Sequence, residues 1–310
     1  MIQEMKKIVM INRRNFIKTV LAGSAIVALP SSMVALSRQK PTKIVLLHTN
    51  DTHSRIDPLP TDDIYAPNMG GVARRAALIE KIRSENEHVL LFDSGDIFQG
   101  TPYFNYYGGK IELELMSKMK YDAACPGNHE FDNGIEHFAN MLKYASFPFV
   151  NCNYDISNTS LKGKLSEWII IQKGNLKIGI TGLGINLAGL VSPINSAGLI
   201  YNDPITAGEK TAKMLKKEKK CNLVIALSHL GFDMKREVDD KRVAAQTRNI
   251  DIILGGHTHT FLKTPELIPN LDNKKVIVCQ SGASGVYLGR IDLTLDKEHI
   301  TISNNQYVLN

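Results

Sequence analysis

From about Lys43 to the C-terminus, apolar segments of strand length alternate with segments whose apolar residues recur at helical spacing. The first three are the strand-like KIVLLHTND, the helical GGVARRAALIEKIRSE and the strand-like HVLLFDSGD. This alternation favours an α/β fold over an all-α or all-β one. The chain closes on strands alone, namely KKVIVCQSG, VYLGRIDLTLD and ITISNNQYVLN. A long β segment after a βαβ core predicts two packed sheets with helices outside them.

The middle of the chain continues the same pattern. Helices are predicted over GGKIELELMSKMK, IEHFANMLKYA, ITAGEKTAKMLKKEKK and KREVDDKRVAAQTRN, and strands over FPFVNCNYD, CNLVIALSHLG and IDIILGGHTHT. Within LSEWIIIQKGNLKIGITGLG, the turn Lys173-Gly174-Asn175 predicts a hairpin of two strands. The lysine run Lys216–Lys220 is expected to end a solvated helix. No linker or internal repeat divides residues 43–310, which are therefore predicted to form one domain.

The N-terminus predicts an export signal over residues 1–35. In NRRNFIKTVLAGSAIVALP, two arginines precede an apolar stretch that contains Gly and Ser, as in a twin-arginine signal. Asn12 and Ile17 replace the first and sixth residues of the usual pattern, and removal of the signal is expected near Ala35. We therefore expect a periplasmic or otherwise extracytoplasmic protein. The alternative is a cytoplasmic protein with a basic N-terminal segment.

Composition argues against several kinds of partner. Residues 1–35 carry a net charge of +4 and leave +2 of the chain's +6, so the basic pI does not indicate binding to nucleic acid, which needs a clustered basic face. No apolar run reaches the roughly 18 residues of a transmembrane helix, so no span is predicted in the mature chain. The cysteines are isolated, which predicts buried apolar side chains and not a zinc-thiolate site. They are Cys125, Cys152, Cys221 and Cys279.

Five segments place metal-binding residue types directly after an apolar run. In chain order they are LLHTNDTHS with Asp51 and His53, LLFDSGDIFQG with Asp96, CPGNHEFDNG with Asn128 and His129, IALSHLG with His229, and LGGHTHT with His257 and His259. The carboxyl ends of parallel strands share one edge of a sheet, and ligands bind at that edge. If these strands are parallel and neighbouring, the side chains converge there.

The donor types indicate which cations such a cluster could hold. Apart from His129, three carboxylate or amide oxygens and four imidazole nitrogens suit Zn²⁺, Mn²⁺, Fe²⁺ or Co²⁺ and argue against Ca²⁺, which prefers oxygen ligands. Seven ligands are too many for one ion but enough for two ions if one carboxylate bridges them. Such a pair of ions stabilises both the attacking and the leaving oxygen of a displacement at phosphorus.

Spacing within the motifs refines this interpretation. Asp51 and His53 lie two residues apart, on the same face of an extended segment, and can share one ion. His257 and His259 can do the same, unless the glycine-rich backbone turns between them and divides them between two ions. The remaining histidines are interpreted as structural. They are His48, His88, His137 and His299.

The motifs and their order resemble those of the calcineurin-like metallophosphoesterases. The family pattern of D-x-H, G-D, G-N-H-[DE], H and G-H-x-H stands here as DTH, GD, GNHE, SHLG and GHTH. The segments HTNDTHSR, GDIFQGTP and GNHEFDNG are more closely similar to the catalytic domain of bacterial 5′-nucleotidases and UDP-sugar hydrolases. The resemblance covers the chain from about Lys43 to its end. It implies a four-layer α-β-β-α sandwich of two mixed sheets flanked by helices.

The resemblance also implies a role for each site residue, with Asp96 bridging two ions. The first ion would be held by Asp51, His53, Asp96 and His259. The second would be held by Asp96, Asn128, His229 and His257. Asn128 would also contact the substrate phosphate. His129, paired with Asp132, would stabilise the transition state or protonate the leaving group.

The activity that the resemblance implies is hydrolysis of phosphate monoesters, either 5′-nucleotides or related nucleotide derivatives, by in-line attack of a metal-bound hydroxide. Two alternatives remain open. One is a nucleotide-sugar or cyclic-nucleotide phosphodiesterase with the same site. The other is a metal-stabilised subunit that needs a partner chain. Family members with full nucleotidase activity carry a C-terminal nucleotide-binding domain, which is expected to be absent here and could come from a separate chain.

Overall fold

Two mixed β-sheets form the centre of the computed structural model, which describes residues 42–235, 237–296 and 299–309. The strands are β1 (Thr42–Thr49), β2 (Val89–Asp93), β3 (Ala123–Ala124), β4 (Phe149–Val150), β5 (Tyr154–Asp155), β6 (Leu165–Ser166), β7 (Trp168–Lys173), β8 (Leu176–Leu183), β9 (Ile200–Tyr201), β10 (Leu223–Ser228), β11 (Ile252–Leu254), β12 (Glu266–Pro269), β13 (Lys275–Cys279), β14 (Tyr287–Asp296) and β15 (His299–Leu309). The helices are α1 (Val72–Glu85), α2 (Pro102–Tyr107), α3 (Lys110–Lys118), α4 (Ile135–Met141), α5 (Pro204–Lys213) and α6 (Asp240–Gln246).

Both sheets have a parallel centre, with antiparallel strands at one edge of the first sheet and at both edges of the second. The first sheet has the order β15-β14-β1-β2-β3-β4-β6, with β14 and β15 antiparallel to their neighbours. The second has the order β12-β13-β11-β10-β8-β7, with β12 and β7 antiparallel. β2 and β10 are buried along their whole length, which explains why their sequences are continuous apolar runs.

The side chains of β1 show how the layers stack. Ile44 and Leu46 belong to one buried cluster with strand residues of the second sheet, such as Ile225. Val45 and Leu47 belong to another, with helix residues such as Ile79 of α1. Successive side chains of a strand point to opposite faces, so one face of β1 meets the other sheet and the opposite face meets helices. The predicted four-layer α-β-β-α sandwich is confirmed.

Several element predictions are confirmed and several are wrong. The hairpin is confirmed, because β7 and β8 pair antiparallel and Gly174 supplies the positive φ of the turn. The single strand predicted over FPFVNCNYD is wrong. The side-chain oxygen of Asn151 accepts hydrogen bonds from the backbone N–H groups of Asn153 and Tyr154, at 3.1 and 2.8 Å, and this local turn separates β4 from β5.

Other boundaries also differ from the predictions. Helix α6 begins at Asp240 and not at Lys235, because the Asp239 side chain caps it by accepting the N–H of Arg242. Helix α2 was not predicted. In the lysine run, residues 217–220 are exposed, but Lys216 is partly buried and its Nζ lies 2.6 Å from Asp251 Oδ2.

The cysteine and N-terminal predictions have different outcomes. Cys125, Cys221 and Cys279 are buried as predicted, and Cys152 is partly buried. The predicted export signal over residues 1–35 lies outside the described residues. Within the part of the chain that the structure describes, we find no helix with the length and apolar character to cross a membrane.

Candidate metal centre

Loops that follow the parallel strands bring the predicted site residues to one place. In the described residues, three groups of three side chains have ligand atoms within 4.8 Å of one another. The groups are Asp51–His53–His259, His53–Asp96–His129 and Asp96–His229–His257. Because His53 and Asp96 each occur in two groups, the three form one continuous cluster. Asn128 joins it through a contact of 3.0 Å between its Oδ1 and His257 Nδ1.

The histidines of GGHTHT divide between two parts of the cluster. His259 Nε2 lies 2.9 Å from His53 Nε2 and 3.3 Å from Asp51 Oδ1. His257 groups instead with Asp96 and His229. The backbone turns between the two histidines, with φ values of 75° and 54°. The turn therefore puts the two histidine side chains in different groups, and the strand predicted over IDIILGGHTHT ends at Leu254.

The backbone of the cluster is left-handed at most of its members. The φ values are 50° at Asp51, 47° at His53 and 55° at Asp96. The expected extended segment from Asp51 to His53 is therefore wrong, although Asp51 Oδ1 and His53 Nε2 still lie 4.0 Å apart. A left-handed non-glycine residue costs about 1–2 kcal/mol. Such strain concentrates at functional sites, where the surrounding structure enforces it.

His229 fits a cation ligand by its hydrogen bonding. Its Nδ1 lies 2.6 Å from the carbonyl oxygen of Ser94, which can only accept, so Nδ1 carries a proton. Its Nε2 is buried without a well-formed hydrogen bond and faces Asp96 Oδ2 at 3.0 Å. In a neutral ring, a lone pair would thus face a carboxylate oxygen. A proton or a metal cation between the two atoms satisfies both, and the donor set of nitrogen and oxygen suits a divalent transition metal.

Charge and burial shift the pKa values of this cluster in opposite directions. Burial alone would lower the pKa of His229, but the Asp96 carboxylate outweighs it and raises the value to about 10. Burial would likewise raise the pKa of Asp96, yet His229 lowers it below its usual range. Burial and His229 lower the pKa of His257 to about 4. His257 is therefore neutral at pH 7 and available as a ligand.

Two glycines allow the loops to pack this closely. A Cβ on Gly95, whose φ is +88°, would lie 2.4 Å from the backbone nitrogen of Gly127. A Cβ on Gly127 would lie 2.2 Å from Asp96 Oδ1. Any side chain at either position would displace the Asp96 loop or the Asn128 turn.

His129 stands beside the cluster, paired with Asp132. Its Nδ1 lies 2.7 Å from Asp132 Oδ2, and its backbone N–H donates to Asp96 Oδ1 at 2.9 Å. Its ring centroid is 5.2 Å from that of His53. Burial lowers the pKa of His129, but the hydrogen bond to Asp132 and the nearby carboxylates of Asp96, Asp132 and Glu130 together outweigh burial and raise it above its usual value. This ring can therefore hold a proton next to the cluster.

Sequence reasoning missed Glu130, which joins two loops of the site. Its buried carboxylate accepts the backbone N–H groups of Asp96, Ile97, Phe98 and Gly127, at 3.0, 2.8, 3.1 and 2.6 Å. Burial raises the pKa of Glu130 to about 7. The acidic residue of the GNHE motif was the available signal, but its partners are backbone groups that no residue pattern identifies.

Two other buried side chains position members of the cluster. Asn50 Nδ2 donates to Asp51 Oδ2 at 2.6 Å, and Asn50 Oδ1 accepts from the backbone and hydroxyl of Ser281. Gln280 donates to the carbonyl of Gly256 and accepts from Thr258 Oγ1 at 3.0 Å, which fixes the loop that carries His257. Sequence reasoning did not identify either.

The histidines interpreted as structural lie outside the three groups. His48 is buried, and burial lowers its pKa to about 3. His137 Nε2 lies 2.6 Å from the carbonyl oxygen of Gly108, and His88 Nε2 lies 3.8 Å from Glu87 Oε1. The His299 side chain is outside the described part of the structure.

Residues 44–261 match the family model of the calcineurin-like phosphoesterases. The chain belongs to this family. The chain is 34% identical over 294 residues to 5′-nucleotidase of Bos taurus, covering 87% of this chain and 50% of that protein. It is 31% identical to the trifunctional nucleotide phosphoesterase of Bacillus subtilis, covering 83% of this chain and 18% of that one. The family resemblance inferred from the motifs is confirmed.

Solved structures agree with this assignment. A 5′-nucleotidase precursor from Thermus thermophilus has a TM-score of 0.78 to this chain and 31% identity, covering 86% of this chain and 54% of that one. The calcineurin-like phosphoesterase of Bacillus subtilis has a TM-score of 0.67 and 25% identity, covering 87% of this chain and 91% of that one. The chain spans about half the length of most of the curated relatives that it matches.

Proposed function

We propose that this phosphoesterase hydrolyses phosphate monoesters, namely 5′-nucleotides or related nucleotide derivatives, at a centre of two divalent ions. The observation that carries this proposal is the continuous cluster of ligand side chains joined by Asp96, with the His129–Asp132 pair beside it. The relatives named as 5′-nucleotidases support the substrate class.

The proposed ligand sets follow the two halves of the cluster. Asp51, His53, Asp96 and His259 would hold one ion, and Asp96, Asn128, His229 and His257 the other. Support comes from the short distances within each set, such as 3.3 Å between His259 Nε2 and Asp51 Oδ1. Zn²⁺, Mn²⁺, Fe²⁺ and Co²⁺ all suit these donors.

Divalent ions, when bound there, supply positive charge for the phosphoryl oxygens and lower the pKa of bound water to about 7. The side chains of the chain itself do the remaining work. The Asn128 amide is proposed to donate to a phosphoryl oxygen. His129 holds a proton beside the cluster and is proposed to give it to the leaving oxygen. Asp132 orients His129, because its carboxylate accepts a hydrogen bond from Nδ1–H at 2.7 Å. The proton for the leaving oxygen is then proposed to come from Nε2 of the protonated ring.

Hydrolysis assays test the proposal directly. Protein reconstituted separately with Mn²⁺, Co²⁺ and Zn²⁺ is assayed with p-nitrophenyl phosphate and AMP as monoesters, and with bis(p-nitrophenyl) phosphate as a diester. We expect turnover of both monoesters. A folded protein that carries two ions per chain and hydrolyses no monoester would contradict the proposal, and turnover of the diester alone would favour the phosphodiesterase.

Export and a partner chain stay predictions. Replacing both Arg13 and Arg14 by Lys is expected to retain the protein inside the cell if a twin-arginine signal acts, and unchanged export would contradict it.

A separate chain that supplies a nucleotide-binding domain is expected to lower the KM for AMP when it is added to the enzyme. If such a chain leaves the KM for AMP unchanged, the prediction of a partner chain is contradicted.

A further inference from the structure

Helix α2 begins near the proposed ligand His53 and ends at a cavity. Just before the helix, Gly100 packs against a proposed ligand, since a Cβ there would lie 2.9 Å from the Cβ of His53. At the other end, Tyr106 and Tyr107 line a cavity of about 440 Å³ together with Asn133. Asn133 directly follows Asp132, the partner of His129. The lining of the cavity therefore includes the residue that follows the pair proposed to act on the leaving group.

The two tyrosines of this cavity are exposed, so they are not part of the hydrophobic core. Tyr106 is 85% exposed and Tyr107 is 51% exposed. Exposed aromatic rings at the mouth of a site are typical of ligand contacts, because they offer a large apolar face.

Contacts with neighbouring residues hold helix α2 and the Tyr107 ring in place. The ring of Tyr107 stacks on that of Tyr103, with centroids 6.4 Å apart and an interplanar angle of 21°. The Tyr103 hydroxyl in turn donates to Asp57 Oδ2 at 2.7 Å. At the base, His137 Nε2 bonds the carbonyl of Gly108 at 2.6 Å. The Tyr107 ring, fixed in this way, loses little conformational freedom when a planar group stacks on it.

We propose that this cavity binds the planar aromatic part of the leaving group, the base of a nucleoside monophosphate, with Tyr106 and Tyr107 as stacking rings. This inference rests on the proposed function and adds a determinant of its substrate preference. The volume falls within the range of about 300–1,000 Å³ that is usual for small-molecule sites. Asn105 and Asn133 line the same cavity and offer amide groups to the polar edge of a base.

Paired substrates isolate the base from the rest of the molecule. KM and kcat are measured for AMP and for ribose 5-phosphate, which has the same phosphate ester without the base. For the double variant Tyr106→Ala/Tyr107→Ala we expect KM for AMP to rise about five- to tenfold, as when a base loses a stacking ring. KM for ribose 5-phosphate and kcat for both substrates are expected to stay the same.

Two controls accompany the double variant. Tyr65→Ala removes another exposed tyrosine, 90% exposed in the loop after β1, that does not line the cavity. It is expected to change neither KM. The variant Tyr106→Phe/Tyr107→Phe keeps both rings and is expected to retain the wild-type KM for AMP. A KM that rises for both substrates alike, or for neither, overturns the proposal.

Calorimetric titration with adenosine separates this proposal from the proposed function. We expect adenosine, but not ribose, to bind the wild-type protein and to bind the double alanine variant at least about fivefold more weakly. If the wild-type protein hydrolyses no ester, the proposed function fails. The titration still shows whether the cavity binds the base. Adenosine that binds wild type and variant equally, or does not bind at all, overturns the base site alone.

Discussion

The buried carboxylates and imidazoles of the cluster need partners that balance their charge. Asp51 and His229 are fully buried, and Asp96 is 2% exposed. Burying such charges without compensation is costly, so they must be balanced by hydrogen bonds, by protons or by cations. Asn50, Ser94 and the backbone of His257 balance part of this charge. Divalent cations would balance the rest.

Replacing His129 separates proton transfer from metal binding. In the His129→Ala variant we expect kcat with AMP to fall at least about a hundredfold, because general acid assistance is lost. The metal content, measured by elemental analysis, is expected to stay at the wild-type value. His88→Ala is the matched control, since that histidine lies outside the cluster, and its kcat should not change. An unaltered kcat in His129→Ala would exclude His129 from the chemistry.

Replacing Glu130 is predicted to lower the stability of the fold. Glu130→Ala leaves four buried backbone donors without their acceptor. We expect the free energy of unfolding to fall by about 3 kcal/mol or more, measured by urea denaturation. Glu136→Ala, an exposed acidic residue in α4, serves as control and should change it by less than about 0.5 kcal/mol. Equal losses in the two variants would show that the Glu130 contacts contribute little.

The candidate ligands follow the ends of strands, but the loops between elements determine how these side chains meet. The loop after β2 and the turn after β3 approach so closely that Gly95 and Gly127 are in contact. Glu130 bonds the backbone of both segments. The two elements are therefore joined at the point where Asp96 and Asn128 enter the cluster.

A pair of glycine substitutions tests how tight this approach is. Gly95 and Gly189 have similar φ values, +88° and +84°, but a Cβ on Gly189 would meet no atom within 4 Å. Both substitutions by Ala incur the cost of a left-handed residue, about 1–2 kcal/mol. Gly95→Ala alone also forces two backbone segments apart, and we expect it to lose bound metal and to unfold at a lower urea concentration than Gly189→Ala. Identical behaviour would mean that the site accommodates the methyl group.

In the whole molecule, the two sheets pack through an apolar core and the cluster lies where their parallel strands end. Ile44, Leu90 and Ile225 belong to the core between the sheets. This core holds β1, β2 and β10 at fixed positions, and those strands carry Asp51, Asp96 and His229 into the cluster. The site therefore depends on the packing of both sheets.

Metal removal is expected to destabilise the whole fold. A ligand present at about 100 times its Kd stabilises the folded state by about 2.7 kcal/mol, and 1 kcal/mol corresponds to about 2–4 °C in Tm for a protein of this size. We therefore expect chelation to lower Tm by about 5–10 °C in a calorimetric scan, and re-addition of Mn²⁺ or Zn²⁺ to restore it. The same Tm with and without chelator would argue against metal binding by the folded cluster.

The fold class and the site composition were readable from the residues because both depend on local patterns. Continuous apolar runs indicate buried parallel strands, and parallel strands place the residues that follow them at a common edge. The division of His257 and His259, the break between β4 and β5 and the role of Glu130 could not be read in this way. Each depends on backbone torsions and on hydrogen bonds between segments, which a linear pattern does not encode. The residues thus specified which ligands were available, and packing of the two sheets decided which of them face one another.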